Sequence, residues 1–194
     1  VQILHYPHPA LRRKCSIVRR VDAELRETIS EMYELMYEAN GIGLAANQVD
    51  LPLRFFIVNT AGDADEGEEL VFINPVLSQP EGRGEEEEGC LSIPTVYGKV
   101  MRPTTIHVQA YNLEGQPFSA ELSETLARVV QHETDHLDGV LFTDRISPDD
   151  KPRVDLLLEE FAVEFADRRG RGEIPADEDI YARLDEIQQR YCAT

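Results

Sequence analysis

Two histidines four residues apart, with a glutamate beside the first, are the side chains of this sequence best suited to chemistry: His132, Glu133 and His136 in the run VQHETDHL. On a helix, residues i and i+4 share a face, so both imidazoles can meet one metal ion while the glutamate stands next to it as an acid/base. A catalytic ion of the zinc type wants a third protein ligand and one position left for water. That ligand is not local. A continued histidine pattern would reach position 142, which is Phe142, and a phenyl ring binds no metal. Glu159 and Glu160 are far enough downstream to complete a zincin-like metallopeptidase, although in LLLEEF they read more simply as a solvated helix face. The better candidate lies upstream. Cys90 stands between Gly89 and Leu91 in EGCLS, where the glycine leaves room for close approach of a ligand or metal.

The elements that must position these groups follow from periodicity. Leu122, Leu126, Val129 and Val130 recur at helical spacing, Ser123 is placed to cap that helix, and the same stripe carries Glu133, His136, Leu137 and Val140 to the buried side. A glutamate on a buried face needs a reason. Residues 104–111 alternate, with Ile106, Val108 and Ala110 on one face and His107 on the other, so His107 is expected on a strand and not as a ligand. Residues 112–115 turn that strand into 116–122, a hairpin leading directly to the metal helix. Two apolar runs, 53–58 and 70–77, read as strands, and Pro75 marks the second as an edge or a strand end. Residues 22–40 predict an amphipathic helix capped by Asp22, its Met and Tyr residues in the core. GIGLAANQ, 41–48, then reads as a small-residue loop in which Gln48 alone is polar and long enough to reach a reacting atom. The opening ILHYPHPALRRK should run extended over the surface, with His5 and His8 in surface or packing roles, and two helices near 152–168 and 177–191 close the chain.

With 194 residues the chain suits one domain with a sizeable core. Its net charge of -18, from 37 acidic and 19 basic side chains, argues against a nucleic-acid-binding surface. The acidic runs 63–69 and 85–88 are expected to be solvated loops. Three widely spaced cysteines, Cys15, Cys90 and Cys192, fit a reducing compartment better than a disulfide framework. No apolar run approaches membrane-spanning length and the opening lacks an apolar signal region, so a cytoplasmic location is expected.

Three separated blocks, GIGLAANQ, EGCLSIP and QHETDHLDGVLF, lie in the order and approximate spacing of the peptide deformylase family, which the chain resembles over most of residues 1 to about 165. The resemblance implies an α+β fold, with antiparallel strands packed around a central HExxH helix, an N-terminal helix and a helical C-terminal tail. It implies a catalytic domain over 1–168 and a helical extension over 169–194. By the same likeness Cys90, His132 and His136 bind the metal and Glu133 is the acid/base. Gln48 and the backbone N–H of Leu91 hold the substrate oxygen, and Gly43 and Gly89 lie against the substrate. The implied reaction removes the formyl group from formyl-methionine at the N-terminus of new proteins, releasing formate. Fe(II) is the usual metal, with Zn(II), Ni(II) or Co(II) able to substitute, and a thiolate ligand suits such ions better than magnesium. The partners are then N-formylmethionyl peptides and nascent chains, with transient contact to the ribosome. Four features depart from the family pattern. Asn47 stands where proline is common and Thr95 where glycine is frequent. Arg128 lies on the metal helix near the methionine-side pocket, pointing in or out. From Lys151 onward there are 7 basic and 11 acidic residues, whereas a ribosome-docking tail should be basic.

Overall fold

The computed structural model describes residues 1–193. Helix α1 (Ala23–Glu38) precedes strands β1 (Gly43–Ala45), β2 (Phe55–Val58), β3 (Leu70–Glu81), β4 (Gly84–Cys90), β5 (Ile93–Arg102), β6 (Thr105–Tyr111) and β7 (Pro117–Ser123). Helices α2 (Glu124–Leu137), α3 (Lys151–Gly170) and α4 (Asp177–Cys192) complete the chain. Five strands form an antiparallel sheet in the order β1-β2-β3-β6-β7, and β4 pairs with β5 as a separate ribbon. The mixed α and β content and antiparallel pairing agree with the α+β expectation.

Side chains alternate across a strand, and β2 uses both faces. Phe55 and Ile57 join Leu25, Ile29, Met32 and Met36 of α1 in one apolar cluster. Phe56 and Val58 join Ala127, Val129, Val130 and Leu137 of α2 in another, with Ile106, Val108 and Ala110 of β6. Burial on both sides explains why β2 reads as an unbroken apolar run and not as an alternation. Asp22 caps α1 by accepting from Leu25 N at 3.0 Å. Ser123 occupies the N-cap of α2, but its side chain makes no capping bond.

Three expectations need correction, and the alternatives for Pro75 resolve. Of its two readings the edge holds: β2 pairs with β3 only as far as Ile73, and beyond a register shift between Ile73 and Val76 the strand runs on to Glu81 along β6 alone, which spares the missing N–H. Residues 85–88 are not a loop but most of β4, paired with β5 across the ribbon. GIGLAANQ is not an open loop either. It contains β1 and a 3-10 turn, Ala46–Val49, and all of Gly43 to Gln48 is buried. The opening segment is only partly a surface feature: Leu4, Ala10 and Leu11 are buried with Ile180 and Leu184 of α4 and with Phe142. His8 has a packing role, accepting from Ala10 N at 3.3 Å with its ring edge-on to Phe165.

Thr95 adopts φ +66°, the left-handed region that β-branched residues avoid and glycine enters freely. This explains why a glycine suits the position. Thr95→Gly is expected to stabilise the protein by about 1 kcal/mol in denaturant unfolding; an unchanged midpoint would remove the strain argument.

The opening segment is also held to the loop after α2 by charge. Arg12 donates to both oxygens of Asp144, at 2.5 and 3.0 Å, while Leu141 N donates to Asp144 at 2.8 Å. Burial pushes this carboxyl up, but Arg12 and the Leu141 amide outweigh it and hold it below the usual range. A depressed folded pKa contributes stability above the unfolded value near 3.9 that is lost as pH falls through the folded value. Asp144→Asn should therefore be less stable than the parent at pH 7, with the gap closing below about pH 4. Chemical unfolding at the two pH values reads this difference.

Candidate metal centre

The 3.6-residue repeat of α2 brings His132 and His136 to one buried face, their ring centroids 5.0 Å apart. Cys90 is the last residue of β4, where the register with β5 shifts between Gly89 and Cys90, and a bulge of this kind re-aims a side chain. The Cys90 Sγ lies 3.1 Å from His136 Nε2. One ligand atom from each of Cys90, His132 and His136 falls within 4.8 Å of the others, the only such group of possible metal ligands among the described residues. Glu159 and Glu160 are exposed on α3 and do not belong to it.

One sulfur and two imidazole nitrogens are a donor set suited to a zinc- or iron-type ion. The surroundings fit one. Glu88 Oε2 meets His132 Nδ1 at 3.1 Å, which leaves Nε2 to face the donor group. Burial alone would lower the pKa of His132, but its contacts with Cys90 and Glu88 and the nearby Glu133 raise it well above the usual value. Burial, together with the neighbouring His132 and Arg102 charges, drives His136 well below. A cation taking the His132 nitrogen would take the place of that proton.

Glu133 is buried beside these three side chains, and its Oε2 has no hydrogen-bond partner. Burial pushes its pKa up to about 7, against the lowering influence of His132 and Arg102. A carboxyl titrating near neutrality is suited to taking up and giving back a proton. Gly43 makes room for it: a Cβ at that position would stand 2.5 Å from Glu133 Oε1 and 2.8 Å from Val129 Cγ1. Gly43→Ala must displace the carboxyl or shift β1. Activity is expected to fall on the order of a hundredfold, with bound metal unchanged; wild-type rates would mean that the carboxyl tolerates the displacement.

Gln48 is fixed by its hydrogen bonds. Ala45 N donates to Oε1 at 2.8 Å, so the amide nitrogen is the end turned to the site, 3.0 Å from Ser92 Oγ and 3.5 Å from Cys90 Sγ. Leu91 follows Cys90 directly, and its side chain packs on Gly41, where a Cβ would come within 2.6 Å of Leu91 Cδ1. At Gly89 the space for a Cβ is taken by the Tyr97 ring, 2.7 Å away across the ribbon, so packing already accounts for the glycine. His107 is outside the site, with Nε2 2.9 Å from Ser119 Oγ.

Sequence reasoning missed the support of the centre. Glu88 is buried and holds three partners: Arg102 through two bonds at 2.6 and 2.9 Å, Arg128 at 2.7 Å, and His132. Arg102 also donates to Asp135 at 2.8 Å, and Arg145 donates to both oxygens of Asp135. The available signal was the position of Glu88 two residues before Cys90, but within four consecutive glutamates it looked like solvated charge. Asn47 is more than a loop variant, because its Nδ2 donates to the main-chain oxygen of His136 at 2.6 Å, joining the Gln48 turn to the end of α2.

With this geometry in place, likeness to known proteins is informative. The family model for polypeptide deformylase matches residues 1–152. The peptide deformylase of Rhodopirellula baltica is 46% identical over 183 residues, covering 94% of this chain and 90% of its own length. A chloroplastic peptide deformylase 1B of Solanum lycopersicum is 39% identical over 184 residues, covering 94% of this chain and 65% of its own. Among solved structures, a plant peptide deformylase PDF1B superposes with a TM-score of 0.86 at 35% identity, covering 91% of this chain and 95% of that one. The Thermotoga maritima enzyme superposes with a TM-score of 0.71 at 38% identity, over 76% of this chain and 97% of that one. Sequence, fold and donor group agree, and the chain belongs to the polypeptide deformylase family.

Proposed function

We propose that the protein removes the N-formyl group from the initiator methionine of newly made proteins, releasing formate, with Cys90, His132 and His136 as ligands of a catalytic divalent ion. The observation that carries this reading is the meeting of those three donors within 4.8 Å beside a buried, unpartnered Glu133 carboxyl. Such an ion, when bound, supplies Lewis acidity that makes water nucleophilic near neutral pH. Fe(II) is the metal expected natively, with Zn(II), Ni(II) or Co(II) as replacements.

The side chains divide the remaining work. Glu133 accepts the proton of the attacking water and delivers it to the nitrogen of the departing amine. The Gln48 amide nitrogen and the Leu91 N–H donate to the formyl oxygen as negative charge gathers on it, and each such donor is worth about 3 kcal/mol of barrier. Gly43 lies on β1, the terminal strand of the sheet, whose outer edge offers main-chain groups to an extended peptide. Gly89 borders the same space. The acidic C-terminal segment does not suit docking to ribosomal RNA, so contact with the ribosome, where it occurs, uses another surface. The expected compartment is the cytoplasm, where formyl-methionine starts synthesis. Among the described residues no helix is long and apolar enough to cross a membrane.

The test is to incubate metal-loaded protein with formyl-Met-Ala-Ser and with its acetylated counterpart. Formate from the first alone supports the reading. Internal peptide cleavage would replace it with a metallopeptidase, and no reaction with any of the four metals would overturn it.

A further inference from the structure

Arg128 stands one helical turn before His132, and its side chain is largely buried, 12% exposed. Its Nη1 donates to Glu88 Oε1 at 2.7 Å and to the Val100 main-chain oxygen at 3.1 Å, and its Nη2 donates to the Gly84 oxygen at 2.9 Å. Its Nε lies 3.2 Å from Glu86 Oε2. All three nitrogens are therefore engaged, and every partner belongs to the β4–β5 ribbon. This settles the direction of the charge: the guanidinium is committed to the ribbon and is not held free for a substrate.

Two facts make that strap matter to the metal centre. The ribbon shares no ladder with the five-stranded sheet on which α2 rests, so sheet hydrogen bonds do not fix Cys90 relative to the histidines. The two imidazoles are also unequally supported. His132 is held through Nδ1 by Glu88, whereas His136 Nδ1 is buried without a partner. The orientation of one ligand thus depends on a carboxylate that Arg128 and Arg102 grip together, and the position of another depends on the ribbon that Arg128 ties to α2.

The geometry assigns to Arg128 the role of a positioning residue for the metal centre, acting mainly through Glu88 on the His132 ring and also on the placement of the Cys90 ribbon. The assignment rests on the reading of Cys90, His132 and His136 as ligands. A ligand held by a fixed outer partner binds metal about 10–100-fold more tightly than one left free, and a group one bond further out should act at the lower end of that range.

The experiment uses Co(II) as the probe, comparing the parent protein with Arg128→Met, Arg128→Lys, Glu88→Gln and the Arg128→Met/Glu88→Gln double variant. Affinity is read by competition with a chelator, and ligand geometry by the visible absorption of the bound ion. Arg128→Met should weaken Co(II) binding about tenfold and shift the absorption bands. Arg128→Lys, which keeps the charge but cannot make all the bonds, should fall between Met and parent, and it serves alone if the Met variant does not fold. In the Glu88→Gln background most of the Arg128→Met effect should disappear. An Arg128 variant with parental Co(II) affinity and spectrum, whatever its melting temperature, would reduce the residue to a purely structural strap. A fully additive double variant would also overturn the route through Glu88. Parent protein lacking a thiolate-to-Co(II) absorption band would instead defeat the ligand assignment, and the proposal with it.

Discussion

Glu133→Gln should bind metal as the parent does and yet hydrolyse formyl-peptides on the order of 10²–10⁴-fold more slowly. Glutamine has nearly the same size and fills the same buried position, so the helix and its two imidazoles need not move. What it lacks is an oxygen able to take a proton. In the parent that oxygen is available because Glu133 is buried, its Oε2 is unpartnered, and burial pushes its pKa up to about 7. The loss should appear in kcat, since the proton transfer belongs to the chemical step and not to substrate binding. Formate release together with metal analysis of the same sample decides the matter. Turnover within tenfold of the parent would remove Glu133 from the reaction.

Cys90→Ala should lose the metal. Structural zinc sites are worth about 10–16 kcal/mol over four ligands, so one ligand accounts for about 3 kcal/mol, or roughly a hundredfold in affinity. The remaining pair of imidazoles also leaves two open positions where a three-ligand site leaves one. Cys90 is only half-buried, and removing its sulfur creates little cavity, so the fold should survive and the loss should be specific to metal. The same measurement on Glu159→Ala and Glu160→Ala separates the readings opened by the sequence. Both glutamates are exposed on α3, and their removal should leave metal content unchanged. Metal retained by Cys90→Ala and lost by either glutamate variant would favour the peptidase.

The legible parts of this protein were those written in a local period. The i, i+4 pair on α2, the alternation of β6, the Asp22 cap of α1 and the two closing helices each follow from neighbours within a few residues, where backbone geometry alone decides which side chains share a face. Cys90 could be offered as a candidate from its glycine-flanked setting, but only the resemblance to a family named it a ligand, because no local rule ties that residue to histidines more than forty positions away. Where propensity competed with pairing, pairing won. Four successive glutamates were read as solvent-facing charge, and became strand because β5 supplies their main-chain partners. Pro75 was read as an edge or a strand end, and it lies at the edge where β2 stops pairing while a bulge lets β3 continue along β6.

By itself the sequence determined that two imidazoles and a carboxyl project from one helix and that a thiol is present in a glycine-flanked segment. Only the tertiary structure decided that the thiol lies against His136, that Glu88 is buried under two guanidiniums, and that Arg128 points to the ribbon. The reason lies in range. A helix or strand repeats its own geometry every few residues, whereas the partner of a buried charge is chosen by how separate elements pack, and desolvation makes that choice binding only once they have come together.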